Sequence, residues 1–253
     1  MYEDIKAVIF DLDGTIYNGN KPMDGALELV ELLRSLGKKI LFMTNNSSKR
    51  RKQIFDKLSS MGLCHDINEV YSSGYAASLF IKERGLNKVF ISGTENLKDE
   101  VLENGVDIVE DVNLAQNLLI GFDTTFDYEK MTAAVRVAVQ SDKIMICNEE
   151  RTFPGDDGEL FPGCGGMVHS ILWCANRNPD VIIGKPDVQM LSIISERNNL
   201  ISSDILVIGD TYESDIVAAK KFGCESILIS AEGNVRSDIV TVKALTEIIQ
   251  MIG

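Results

Sequence analysis

Short, uninterrupted apolar runs alternate along this chain with stretches whose apolar residues recur every three or four positions. The runs are Ala7-Val8-Ile9-Phe10, Ile40-Leu41-Phe42-Met43, Val181-Ile182-Ile183, Leu206-Val207-Ile208 and Ser226 to Ile229. Runs this short, with no polar alternation, predict strands buried on both faces, as in a parallel sheet covered by helices. Between them, Asp24 is expected to cap a helix through Leu27, Val30, Leu33 and Leu36 that stops at Gly37. Ser47 or Ser48 is expected to open a second helix that ends near Gly62. Further helices are expected from about Asp187, across Ile216 to Phe222, and over Leu245, Ile248 and Ile249. This order predicts an α/β protein with a Rossmann-like, doubly wound parallel sheet, binding ligands beyond the carboxyl ends of its strands.

The same alternation repeats from about Ser73 to Pro179. Strands are expected at Lys88–Ile91, Leu118–Ile120 and Lys143–Cys147. Helices are expected at Tyr75–Glu83, Glu95–Glu103, Tyr128–Gln140 and Met167–Ala175. This is enough material for a smaller α/β domain inserted into the first. The expected division is 1–72 and 180–253 for the core, and 73–179 for the insert.

Composition narrows the partners. The chain has 253 residues, 45% of them hydrophobic, so a substantial core can form. A formal net charge of -13 argues against nucleic acid or an anionic membrane surface as a partner. The five cysteines, Cys64, Cys147, Cys164, Cys174 and Cys224, are odd in number and form no C-x-x-C pair. That disfavours a disulfide framework or a zinc site, and each is expected to be a small buried hydrophobe. The first ten residues lack a basic leader, and no apolar run approaches the roughly 20 residues of a membrane span. A cytoplasmic protein is expected; association with further copies of itself stays open.

Four segments carry candidate chemistry, each after a predicted strand. Asp11-Leu12-Asp13-Gly14-Thr15 follows the first. Two ionised aspartates in one cleft repel each other and call for a cation or a shared proton. Thr44-Asn45-Asn46-Ser47-Ser48 follows the second and offers a hydroxyl, amides and a helix start, which suit phosphate. Gly184-Lys185-Pro186 brings a lone cation that can neutralise a transferring phosphoryl group. Gly209-Asp210-Thr211-Tyr212-Glu213-Ser214-Asp215 brings a further carboxylate at Asp210, and all-oxygen donors suit magnesium. Asp215 either orients Lys185 or a metal-bound water, or is a solvated acid at a helix start.

In this order the segments resemble the haloacid dehalogenase superfamily of phosphotransferases. The resemblance covers residues 1 to about 72 and 180 to 253. It implies Asp11 as nucleophile and Asp13 as general acid and base. It implies Thr44, Asn45 and Lys185 as phosphate ligands. Asp11, the backbone carbonyl of Asp13, and Asp210 are implied as Mg2+ ligands, supported by Ser214 and Asp215. A cap inserted between the threonine and lysine segments is similar to the NagD-like, nitrophenylphosphatase branch. So are Thr44-Asn45-Asn46-Ser47, Asn148 with Thr152-Phe153-Pro154, and Pro162-Gly163-x-Gly165. Asn148 and Thr152 are thereby candidate cap residues for substrate. The family commonly reads A-T-N-P-D where this chain has Ile146-Cys147-Asn148-Glu149-Glu150, and Ala231-Glu232-Gly233-Asn234 also departs from it.

The resemblance implies hydrolysis of small phosphate esters, such as sugar phosphates, nucleoside monophosphates and nitrophenyl phosphate, through an aspartyl-phosphate. Two rivals share the chemistry. A phosphomutase uses the same aspartate and returns the phosphoryl group to sugar. A receiver-like module accepts a phosphoryl group without releasing it quickly. Other features have plainer readings: Lys49-Arg50-Arg51-Lys52 as a solvated helix face, His65 as loop, His169 as a packing or surface residue, and Asp156 and Asp157 as turn residues.

Overall fold

A computed structural model describes residues 2–154, 159–230 and 238–252. Asp156, Asp157 and residues 231–234 lie outside the described residues. The chain divides into two compact units. One comprises Met1–Thr44, Lys52–Tyr71 and Lys185–Gly253; the other comprises Asn45–Arg51 and Ser72–Gly184.

The chain opens with β1 (Ala7–Phe10), the short hairpin β2 (Tyr17–Asn18) and β3 (Lys21–Pro22), and α1 (Ala26–Ser35). β4 (Lys39–Thr44), α2 (Arg51–Ser60) and β5 (Val70–Ser72) follow. Then come α3 (Ser73–Glu83), β6 (Val89–Ser92), α4 (Glu95–Glu103), β7 (Asn117–Ile120), α5 (Tyr128–Gln140) and β8 (Lys143–Ile146). A hairpin of β9 (Thr152–Pro154) and β10 (Leu160–Pro162) leads to α6 (Cys164–Ala175) and β11 (Val181–Ile182). The chain ends with α7 (Gln189–Asn198), β12 (Ile205–Gly209), α8 (Val217–Phe222), β13 (Glu225–Ile229), β14 (Val240–Val242) and α9 (Leu245–Ile252).

The first unit is built on a sheet in the order β14-β13-β12-β1-β4-β5. Every pairing from β14 to β4 is parallel. Ala7, Ile9 and Phe10 are each 0% exposed, which is why β1 reads as an unbroken apolar run. Phe10 and Phe42 meet with ring centroids 6.2 Å apart, and removing either ring would cost about 3–5 kcal/mol. From β1 the chain proceeds to β4 on one side and returns to β12 on the other. That reversal opens a crevice at the carboxyl ends of β1 and β12.

The second unit has its own parallel sheet, in the order β11-β8-β7-β6. Leu118 and Ile120 of β7, Ile144 and Ile146 of β8, Val137 of α5 and Val168 of α6 share one apolar core. In the β9–β10 hairpin Phe153 stacks on Phe161 at 5.7 Å, and Phe122 meets Phe153 edge-on at 5.5 Å.

Four sequence expectations need correction. Val181–Ile182 was expected in the core sheet, but it pairs with Met145 and Ile146 of β8 in the other sheet. A short apolar run does not by itself name the strand it will pair with. Asp24 does not cap α1; Gly25 holds that position with φ 81° and no side-chain bond. Neither Ser47 nor Ser48 caps α2. The Ser47 hydroxyl accepts the Phe122 N–H at 2.9 Å, and Ser48 N–H donates to the Asn46 side chain at 3.0 Å. The Arg51 N–H that opens α2 instead donates to the Glu100 carboxylate at 2.6 Å, a cap from a distant helix. Finally, all five cysteines are free thiols, but Cys174 is exposed and Cys224 only half-buried. Among the described residues no helix is long and apolar enough to cross a membrane.

Candidate active site

The turn after β1 sets the first part of the site. The Asp11 N–H continues the parallel ladder by donating to the Ile208 carbonyl at 2.9 Å. The chain then folds back: the N–H groups of Thr15, Ile16 and Tyr17 all donate to the Leu12 carbonyl, at 3.2, 3.0 and 3.3 Å. Gly14, at φ 88°, makes this turn possible, and a Cβ there would run into the Asp210 carboxylate. The turn separates the two aspartates. Asp11 is 8% exposed, while Asp13 lies on the open side of the turn. The Asp13 carboxylate accepts a hydrogen bond from the Tyr17 hydroxyl at 3.1 Å.

Lys185, just beyond β11, is 3% exposed and sits between two carboxylates. Its Nζ donates to Asp11 Oδ1 and to Asp215 Oδ1, the latter at 2.6 Å. Asp215 is 1% exposed, so it is not the solvated helix-start acid that was one alternative. A wide turn over Tyr212–Ile216 carries it back under β12, and its Oδ2 accepts the Thr211 N–H at 3.0 Å. Any side chain at Gly209 would collide with it. Ser214 lies half-buried in the same turn. Asp210 follows β12 directly, and its Oδ1 accepts the Thr15 hydroxyl at 3.2 Å. Thr44 is buried at the carboxyl end of β4, the strand beside β1.

The remaining candidates belong to the second unit. Asn45 is buried; its amide donates to Glu150 Oε1 at 2.8 Å. Its carbonyl accepts from the Ser73 hydroxyl at 2.7 Å and the Asn148 amide at 2.8 Å. Asn148 is also buried, and its Oδ1 accepts the Glu150 N–H at 3.1 Å. Thr152 begins β9 and is exposed. Nothing in the sequence singles out Tyr17 or Ser73, and Thr15 and Glu150 stand in quoted segments without a role of their own. A tyrosine two residues past D-x-D-G-T carries no recognisable signal until the turn is seen.

Charge in the first-unit site is unbalanced. Burial pushes the Asp11 carboxyl well above the usual carboxylate range; Lys185 opposes this, and Asp215 and Asp210 reinforce it. Burial by itself would lower the Lys185 ammonium, but the Asp11 and Asp215 carboxylates overcome it and hold the ammonium above its ordinary value. Burial, then Asp215, raises Asp210. Burial and the neighbouring Asp13 raise the Tyr17 phenol, which therefore keeps its proton. Carboxylate oxygens of Asp11, Asp210 and Asp215 lie within 4.8 Å of one another. Three carboxylates facing one ammonium, all offering oxygen, form a donor set that fits a hard divalent cation.

A haloacid dehalogenase-like hydrolase model matches residues 8–107, and a HAD-hydrolase-like model matches residues 182–249. Sugar-phosphatase AraL of Bacillus subtilis is 31% identical over 223 residues, covering 88% of this chain and 82% of its own. The chain belongs to the haloacid dehalogenase-like hydrolases. Within that family it is a NagD-like phosphatase, a hydrolase of phosphoric monoesters. The solved p-nitrophenyl phosphatase from Archaeoglobus fulgidus superposes on this HAD phosphatase with a TM-score of 0.90 at 30% identity, covering 98% of this chain and 99% of that one. The 4-nitrophenylphosphatase from Thermotoga maritima does so with a TM-score of 0.91 at 27% identity, covering 100% and 99%.

Proposed function

We propose that this HAD phosphatase is a magnesium-dependent, cytoplasmic phosphomonoesterase that acts on small phosphate esters through an aspartyl-phosphate on Asp11. Sugar phosphates and nitrophenyl phosphate are the favoured substrate class, in keeping with what the relatives are named for. The observation that carries the reading is Lys185, a buried ammonium bonded to both Asp11 and Asp215, with Asp210 alongside.

In the first step an Asp11 carboxylate oxygen forms a bond to phosphorus while the bond to the leaving oxygen breaks. Asp13, protonated at that moment, gives its proton to the leaving oxygen. In the second step Asp13 takes a proton from water, whose oxygen attacks phosphorus and releases Asp11 and phosphate. Lys185, Thr44 and the backbone N–H groups beyond β4, including that of Asn45, hold the phosphoryl oxygens. Asp11, the Asp13 carbonyl and Asp210 would hold Mg2+, and Asp215 with Ser214 supports them. The ion, when bound, offsets negative charge on the phosphoryl group as it transfers. The first unit, which carries Asp11, Asp13, Thr44, Lys185 and Asp210, supplies this chemistry. The insert, residues 73–179, acts as a cap that selects the substrate, with Asn148 and Thr152 as its candidate residues.

The nucleophile is tested by acid-quenching the enzyme during turnover of a radiolabelled phosphate ester. Label should appear on the protein and disappear in Asp11→Asn. Label retained in that variant would end the assignment. Released phosphate across a panel of sugar, nucleoside and aryl phosphates then fixes the substrate class.

A further inference from the structure

The turn that carries Asp11 also delivers Tyr17 to Asp13. These two residues are four apart, joined by an isolated bridge, and Gly14 N–H donates to the Tyr17 carbonyl at 2.9 Å. Tyr17 is 4% exposed, so its ring is fixed by the core. Its hydroxyl is the donor to Asp13 Oδ2 at 3.1 Å. On the ring face, the Lys57 ammonium of α2 stands 3.6 Å from the centroid. A cation on that face is attracted to the ring and helps hold it in place. Asp13 itself is exposed, and an exposed carboxyl turns freely among its rotamers unless something holds it.

We propose that Tyr17 is a positioning residue for the general acid: its hydroxyl ties down Asp13 Oδ2 and so leaves Oδ1 to carry the proton to the leaving oxygen. This rests on the acid–base reading of Asp13 given above. The balance is simple. The Asp11–phosphorus bond forms, the bond from phosphorus to the leaving oxygen breaks, and the proton on Asp13 Oδ1 moves to that oxygen. Asp13 is left as a carboxylate, still bonded to the Tyr17 hydroxyl, which neither gains nor loses a proton. Orientation of this kind matters because proton transfer is efficient only at hydrogen-bond distance and good alignment.

The leaving group separates this role from a merely structural one. An alkoxide is a strong base and needs its proton as it departs; nitrophenolate is a far weaker base and needs little help. The ratio kcat/KM reports the first chemical step and excludes hydrolysis of the aspartyl-phosphate, which is common to every substrate. For Tyr17→Phe with circular dichroism like that of the parent, kcat/KM on an alkyl phosphate such as glycerol phosphate should fall about tenfold. On p-nitrophenyl phosphate it should stay within about twofold. An equal fall on both substrates, or a fall on neither, overturns the proposal. Should Tyr17→Phe not fold, Tyr17→Met fills the site with a flexible apolar side chain that has no donor, and the same selective loss is expected. Asp13→Asn serves as the companion. It should lose about 10²–10⁴ on the alkyl ester, and full activity in it would remove the acid role of Asp13 and the proposal with it. A loss in Asp13→Asn with none in Tyr17→Phe sinks the Tyr17 role alone.

Discussion

Asp11 and Asp123 occupy similar places in the two units. Each lies just beyond the carboxyl end of a strand with neighbours on both sides, β1 and β7, and each is paired with a lysine. Each is buried, at 8% and 3% exposure. Their surroundings are opposite. Asp123 is satisfied locally: Oδ1 accepts the Thr125 N–H at 2.9 Å and its hydroxyl at 2.8 Å, and Oδ2 accepts Lys130 at 2.7 Å. Burial would raise its carboxyl, but these bonds prevail and hold it below the usual range. Asp11 shares its lysine with Asp215 and faces Asp210, so burial wins and the carboxyl rises. Burial and a lysine do not make a site. Unbalanced negative charge, gathered from distant parts of the chain, does.

This contrast can be broken at several points. The largest effect belongs to the aspartates themselves. Asp11→Asn should lower kcat by at least about 10⁴-fold, the scale seen when a nucleophile is removed. Asp123→Asn should leave it within a few-fold. Comparable losses in an assay of released phosphate would erase the distinction. Next come the lysines: Lys185→Met should lose roughly 10²–10³ in kcat, against little change for Lys130→Met. A thermal melt must accompany the first, because unpairing Asp11 and Asp215 carries a penalty of about 3–5 kcal/mol.

Metal dependence sharpens the contrast without chemistry. Magnesium in hundredfold excess over its dissociation constant should stabilise the enzyme by about 2.7 kcal/mol, read as a raised melting temperature. Asp210→Asn should lose most of that rise, and Asp123→Asn none of it. Excess EDTA should abolish turnover, and full activity in it would remove the ion from the scheme. The smallest effect is a pH dependence. Asp123 has a lowered folded pKa, so its contribution is complete above the unfolded value near 3.9 and is lost as pH falls through the folded one. Asp123→Asn should therefore cost about 1–2 kcal/mol at pH 7 in urea unfolding, reduced because Lys130 is half-exposed. The difference between variant and parent should shrink as pH falls below the unfolded carboxylate value, because Asp123 is then protonated in both states.

Much of the fold was legible because its central strands are buried on both faces. β1, β4, β12 and β13 are unbroken apolar runs and fall where the pattern placed them, to within a residue or two. The edges were not legible. β5 reads Val-Tyr-Ser and β14 reads Val-Thr-Val, too short and too polar to stand out from loop. Nor was the entry to α2, since its cap is Glu100, 49 positions away. In the candidate site, the grouping of Asp11, Lys185 and Asp210 agrees with what the order of the motifs implied, although the strand before Lys185 lies in the other sheet and Asp215 was left open. The partners of those groups did not follow. Tyr17 meets Asp13 only because the chain turns at Gly14, and Asn148 meets the Asn45 carbonyl only across a separation of 103 residues.

The register of β1 has a consequence for how the polypeptide is made. One side of β1 is paired as soon as Lys39 to Phe42 have emerged; the other side waits for Ile205 to Ile208. At roughly 5–20 residues per second, that wait lasts about 10–30 s on the ribosome. During it, the strands from Val89 to Ile182 can all assemble into their own sheet. The second unit is thus free to form first, and the sheet of the first unit completes around β1 only after Ile208 has been made.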